Sequence, residues 1–220
     1  MANGSKIDLE ILKGDYCEYT KEAKQRWKLA NDVLYNMCEE YPLHEDDDVI
    51  ASKVLLIGRS YAAAVERQHT GNPRGDRYYY EIVAPSIKKI NIDESIAEIK
   101  RSKSIIDCKN TIIKLHDVLS RFGGEREKVR TSFASKYLHF HCRDKVFIYD
   151  ERARRAIARY LTRVDYEFEN TCKNKEYQIY FNKALALQEQ IMSMNYSCDP
   201  RELDDFLLWV LENKVDTEKK

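Results

Sequence analysis

Chemistry in this chain concentrates between Thr131 and Arg155, in the segment TSFASKYLHFHCRDKVFIYDERARR. Lys136 sits among Phe133, Tyr137, Leu138 and Phe140. An amine held among apolar side chains is easier to deprotonate and can act as a nucleophile. Asp150 follows the apolar run VFIY and opens an arginine-rich stretch. A carboxylate so placed could stabilise positive charge on a reacting carbon or take a proton from the nucleophile. Asp150 is equally well suited to cap a helix, and Lys136 could be a lysine whose stem covers apolar neighbours. His139 and His141 alternate with Phe140; they could move protons or touch a phosphate, although core histidines commonly show this pattern too. His-x-His without a third ligand at suitable spacing predicts no metal site.

The elements around this segment read as helices. The 220 residues are 43% hydrophobic and 34% charged, with only 7 Gly and 4 Pro, a mix that favours a mainly α fold. One helical domain is expected, or two closely packed lobes with the cleft near 131–155. Residues 1–17 read as loosely ordered. Trp27, Ala30, Leu34 and Met37 recur at helical spacing from about Tyr19 to Tyr41, and Pro42 ends the run. The acids Glu45–Asp48 suit the N-terminus of a helix running to about Arg67, whose small residues Gly58 and Ala62–Ala64 suggest close packing. Glu66 and Arg67 read as an internal ion pair on that helix; Arg59 and Tyr61 read as groups lining a pocket. Residues 68–77 form a loop, and Tyr78–Tyr80 could be a short strand or the edge of a cleft.

Ile96, Ile99, Ile105, Ile106, Ile112, Ile113, Leu115 and Leu119 give a helical region from Asp93 to Phe122 with one break, stopped by Gly123–Gly124. Thr131 and Ser132 are good capping types for a short helix starting near Phe133. Another helix runs from Asp150 to about Thr162, followed by a loop over 165–175 and a helix over Tyr177–Met194. Asp199-Pro200-Arg201-Glu202 is a strong helix start, with the cap, first position and third position each occupied by a favoured residue. The final residues NKVDTEKK read as frayed.

Charge singles out the same segment. The chain is neutral, with 37 basic and 37 acidic residues, yet Arg121–Arg163 carries twelve Lys or Arg against five acids. A basic middle in a neutral chain could be a phosphate-binding face or a solvated helix face. The six cysteines are scattered without a C-x-x-C pair, which argues against zinc and iron–sulfur sites. There is no apolar run of membrane-spanning length and no secretory leader, so a cytoplasmic location is expected.

The Lys136…Asp150 arrangement resembles the helix-hairpin-helix DNA glycosylase superfamily, most nearly its 8-oxoguanine glycosylase-like members. LLIGRSYAAAVERQ and RELDDFLLWVLE look similar to helices of small prokaryotic relatives. The resemblance implies a helical domain of the glycosylase type that flips a nucleotide from double-stranded DNA and excises a base. It assigns Lys136 as nucleophile and Asp150 as its electrostatic or base partner. Thr131, Ser132, Ser135, His139, His141, Lys145, Arg152 and Arg154 would contact DNA, and Arg59, Tyr61 and Tyr79 would line the base pocket. No cofactor is implied, and a monomer is expected. The substrate would be an oxidised purine, or a phage-type modified cytosine in antiviral defence. The same basic helix also fits a non-catalytic nucleic-acid-binding protein, or a helical interaction protein that binds no nucleic acid.

Overall fold

The computed structural model describes residues 7–22, 27–69, 71–123, 129–161 and 169–215, except the side chains of Arg67 and Gln68. The described residues are mainly helical and contain no β-strand. The chain divides into two units. Unit 1 gathers Met1–Arg26, Phe147–Phe168 and Lys175–Lys220; unit 2 comprises Trp27–Val146 and Glu169–Asn174.

Unit 2 is built around helix α8 (Thr131–His141), onto which α2 (Lys28–Glu40), α3 (Asp47–Ser60) and α7 (Ile105–Leu119) pack. Every residue of α8 except Ser132 is buried. Phe133, Ala134, Tyr137, Leu138 and Phe140 leave no polar stripe for solvent, so this helix must be enclosed on all sides. The acidic run works as expected: Asp46 caps α3, accepting from the amides of Asp48 and Val49 at 2.7 and 3.3 Å, with Asp47 and Asp48 in the first turn. The break expected between Asp93 and Phe122 separates α6 (Asp93–Arg101) from α7, where Ser104 and Asp107 form a capping box.

Several expectations change. Helix α3 stops at Ser60, short of Arg67, because Ala62 takes a left-handed conformation (φ 53°) and the Ala63 amide folds back onto the Gly58 carbonyl at 2.7 Å. A Cβ on Gly58 would lie 3.3 Å from that returning backbone at the Ala63 oxygen, so the small residues form the turn itself. Tyr78–Tyr80 is helical: α4 (Asp76–Tyr78) runs through a π-helical turn, Tyr79–Val83, into α5 (Ala84–Ile90). The buried rings of Tyr78 and Tyr79 hold this segment against the core. Glu66 pairs with Arg59 and with the Tyr79 hydroxyl, whereas the Arg67 side chain lies outside the described residues.

Unit 1 holds α1 (Leu9–Glu22), α9 (Glu151–Ile157), α10 (Lys175–Ser193) and α11 (Pro200–Val210), which continues as a π-helical turn, Leu211–Val215. The expectation of loose order over residues 1–17 fails from Leu9 onward, because Leu12, Asp15 and Tyr16 are buried in α1. Tyr16 packs edge-on against Phe206, whose ring stacks on Tyr160 and on Trp209. Asp199 and Glu202 form the capping box that the sequence announces, with Pro200 in the first turn. The arginine-rich helix is shorter than expected, ending at Ile157 rather than near Thr162. Residues 1–6, 23–26, 124–128 and 216–220, Thr70, and 162–168, which include Thr162, Arg163 and the first part of the 165–175 loop, lie outside the described residues.

Candidate functional site

Helix α8 begins two residues before Phe133, and its N-cap is Arg130 rather than a hydroxyl. The Arg130 guanidinium is buried. It donates to the Tyr78 hydroxyl (2.8 Å) and the Phe122 carbonyl (3.2 Å) and lies 4.5 Å from the centroid of the Phe122 ring. Thr131 is the first helical residue. Its hydroxyl accepts from Asn174 Nδ2 at 2.8 Å, and its carbonyl accepts from His116 Nε2 at 3.0 Å. The start of α8 is thus tied to α7 and to the Glu169–Asn174 segment. The Thr131 hydroxyl, expected to cap the helix, serves Asn174 instead.

Lys136 stands in the second turn of α8 and is only 4% exposed. Its amine donates to the Ser132 hydroxyl at 2.9 Å and to the Tyr61 carbonyl at 3.1 Å, and lies 5.9 Å from the centroid of the Tyr61 ring. Tyr61 is the C-cap of α3, so the ammonium meets a terminal carbonyl at the negative end of that helix. The turn at Gly58–Ala63 is what presents this carbonyl. Two residues separately singled out in the sequence, Lys136 and Tyr61, therefore come together. The Tyr61 hydroxyl donates to Asn31 Oδ1 at 2.5 Å, and its ring sits edge-on to Phe140 at 5.1 Å.

The other predicted positions in unit 2 separate. Ser135 is fully buried, with its hydroxyl donating to the Ser132 carbonyl at 3.0 Å. His139 is fully buried: its Nδ1 faces the Val146 carbonyl at 2.8 Å, so Nδ1 carries the proton and Nε2 accepts from the Tyr35 hydroxyl at 2.6 Å. His141 is 3% exposed, and neither ring nitrogen has a hydrogen-bond partner among the described residues. Thr131, Ser135, His139 and His141 are thus all buried in this structure. Lys145 does reach the surface, donating to the Lys103 carbonyl at 3.3 Å. Arg59 is exposed beside Glu66, while Tyr79 is buried against it.

In unit 1, Asp150 is the N-cap of α9 and its carboxylate accepts from the Ala153 amide at 2.8 Å. Val146–Tyr149, which form neither helix nor strand, precede it. Their carbonyls are held by tyrosines of α10, Tyr177 on Phe147 (3.2 Å) and Tyr180 on Ile148 (2.7 Å). Arg152 pairs with Glu212 at 2.8 Å, and Arg154 pairs with Glu151, both at half-exposed positions.

A second polar cluster in unit 2 escaped the sequence reading. Asp93 accepts from His44 Nδ1 at 2.5 Å and from the His44 amide at 3.0 Å, which leaves His44 Nε2 to accept from the Tyr137 hydroxyl at 2.9 Å. The His141 ring lies 4.9 Å from that of His44. Burial, helped by Lys53, lowers the His44 pKa to about 4 despite Asp93. Lys53 is fully buried and donates to the Leu43 carbonyl at 3.3 Å; burial brings its pKa down to about 8. His44 and Tyr137 are 93 residues apart in the chain, so no local pattern announces the cluster. Among the described residues, no group of His, Cys, Asp and Glu is arranged to hold a metal ion.

Fold and site together define a mainly helical protein with a buried lysine amine at a helix terminus. Residues 13–145 match the family HI_0787_N, described as an N-terminal domain, and the chain belongs to that family. The matched span includes Lys136 and ends before Asp150. No curated protein and no solved structure matches the chain. Among the described residues, no helix is long and apolar enough to cross a membrane.

Proposed function

We propose that this protein is a DNA glycosylase that excises a damaged or modified base after flipping its nucleotide from the duplex. The observation that carries the reading is the placement of Lys136, a buried amine hydrogen-bonded to the neutral oxygens of Ser132 and Tyr61. The order of elements along the chain adds support: a lysine helix, a non-helical apolar segment, and an aspartate capping the next helix. The roles follow from the chemistry. Breaking the N-glycosidic bond places positive charge on the deoxyribose, which the Asp150 carboxylate stabilises. The Lys136 amine, once deprotonated, bonds to C1′ as the base departs with the bonding electrons. Loss of the ring-oxygen bond then gives a Schiff base, from which strand cleavage at the abasic site can proceed.

The substrate class is an oxidised purine or a phage-type modified cytosine, which distinguishes repair from antiviral defence. Duplexes carrying 8-oxoguanine, uracil, hydroxymethylcytosine or glucosylated hydroxymethylcytosine, treated with the protein and then with alkali, are expected to break at one of these bases. Borohydride is expected to trap a covalent complex that Lys136→Gln abolishes, and Asp150→Asn should cut excision by roughly two orders of magnitude or more. Full activity in either variant would sink the assignment of that residue. Lys136 at the end of α3 also favours a second reading, a lysine that only compensates helix carbonyls in a non-catalytic nucleic-acid-binding protein. DNA binding without any abasic product would select it.

A further inference from the structure

A short piece of surface backbone in unit 2 supplies the carbonyl that holds Lys136. Ile57 and Gly58 before it and Ala64 and Val65 after it are buried, whereas Tyr61 and Ala63 are half-buried and Ala62 is exposed. Both flanks are fixed: α3 leads in, and Glu66 beyond is tied to Arg59 and to the Tyr79 hydroxyl. The piece between them is under strain. Ala62 sits at φ 53°, a left-handed conformation that any residue with a Cβ disfavours. The returning backbone also passes very close to α3, since a Cβ on Gly58 would lie 3.3 Å from the Ala63 oxygen and 3.4 Å from the Ala64 Cα. Strain of this kind, beside a reactive side chain, marks a segment that can take a second position. In the present position Lys136 is 4% exposed, and its amine donates to the Ser132 hydroxyl and the Tyr61 carbonyl. A deoxyribose carbon cannot reach the amine in that state.

We propose that Tyr61–Ala63 is an autoinhibitory latch on Lys136. Closed, it encloses the amine; a swing of these three residues between the fixed flanks withdraws the Tyr61 carbonyl and exposes it. Ala62 sets how firmly the latch closes, because glycine would adopt its conformation without penalty. Gly58 permits closure, because a side chain there would meet the returning backbone. The latch regulates the site of the proposed glycosylase, so its bearing on catalysis rests on that reading, while its opening and closing do not.

Reductive methylation of the full chain with formaldehyde and cyanoborohydride, followed by mass spectrometry, reads the exposure of each lysine without DNA. Lys53 is the internal control, a fully buried lysine of the same unit that is held by the Leu43 carbonyl instead. Ala62→Gly should slow labelling of Lys136 by roughly fivefold and leave Lys53 unchanged. Gly58→Val should speed labelling of Lys136 by roughly tenfold or more, again without Lys53. Parallel changes at Lys53 and Lys136 would show that only global unfolding exposes the amine. Labelling of Lys136 that ignores Ala62→Gly would show that the turn does not gate it. Either result overturns the latch, the second even where Gly58→Val fails to fold. Base excision measured on the same samples separates the two readings. Turn-dependent labelling without excision leaves the latch standing and removes the glycosylase. Excision with turn-independent labelling does the reverse.

Discussion

The interiors of the two units differ in kind. Unit 1 is closed by aromatic rings, with Tyr16, Tyr160, Phe206 and Trp209 in mutual contact. Unit 2 contains all five histidines of the chain, together with the buried side chains of Lys53, Arg130 and Lys136. Aromatic packing is stable over a wide pH range because its groups carry no charge that proton uptake can change. An interior of neutral imidazoles and enclosed cations keeps its stability only where those groups hold the protonation state for which they are packed. The contrast places the buried imidazoles and lysines in unit 2, whereas the charged groups buried among the rings of unit 1 are the carboxylates of Asp15 and Asp204.

Acid should separate them most strongly. Burial lowers the pKa of His44 to about 4, that of His116 to about 3, and that of His141 well below the ordinary value. The unfolded chain therefore takes up these protons first, at about pH 6.5. The stability these groups contribute is complete above that pH and falls as pH drops towards the folded values. Each group can contribute a slope approaching 1.4 kcal/mol per pH unit. Hydrogen exchange followed by mass spectrometry is expected to show α3, α7 and α8 losing protection between pH 7 and pH 4.5, with α10 and α11 changing less. Equal loss in both units would break the comparison.

A smaller effect probes the other side. Phe206→Ala should destabilise unit 1 by about 3–5 kcal/mol by opening a cavity among the stacked rings, visible in urea denaturation followed by Trp209 fluorescence. That cost should be nearly the same at pH 5 and pH 7; a marked pH dependence would show that unit 1 also leans on titrating groups. The smallest expected change sharpens the account of unit 2. Lys53→Met should stabilise the protein by about 1–2 kcal/mol at pH 7, since it removes an enclosed charge while keeping the volume. The unaltered protein should regain part of that difference as pH rises from about 8 towards 10.5. Over that range the folded lysine has released its proton and the unfolded one still holds it. A destabilised Lys53→Met would mean that the charge itself is needed by the Leu43 turn.

Legibility in the sequence followed the range of the forces involved. Helix starts were readable at Asp46, Asp150 and Asp199, where a side chain caps its own helix and the signal spans only a few residues; the equally local cap at Ser104 was passed over inside a long apolar pattern. The end of α3 was misplaced because Ala62 occupies a left-handed position that usually falls to glycine. The helix through Tyr78–Tyr80 was missed because three adjacent tyrosines favour strand by propensity, and burial against the core overrides it. At the site, Lys136 and Asp150 were found as residue types at suggestive positions. The Tyr61 carbonyl that meets Lys136 comes from 75 residues away, and the Asp93–His44 contact spans 49. Periodicity along the chain carries no information about such meetings.

The composition of unit 1 has a consequence for biosynthesis. The Tyr16 hydroxyl of α1 donates to the Ser197 carbonyl, 181 residues later, and the ring meets Phe206 beyond that. Helix α1 is therefore made long before its packing partners exist, while nearly all of unit 2 is translated in the interval. During that time its apolar face has no native cover, a window in which a chaperone or a second nascent chain can engage it. Ribosome stalling before Ser197 would lengthen that window, so the stretch ahead of the last helix is where translation speed should matter most for yield.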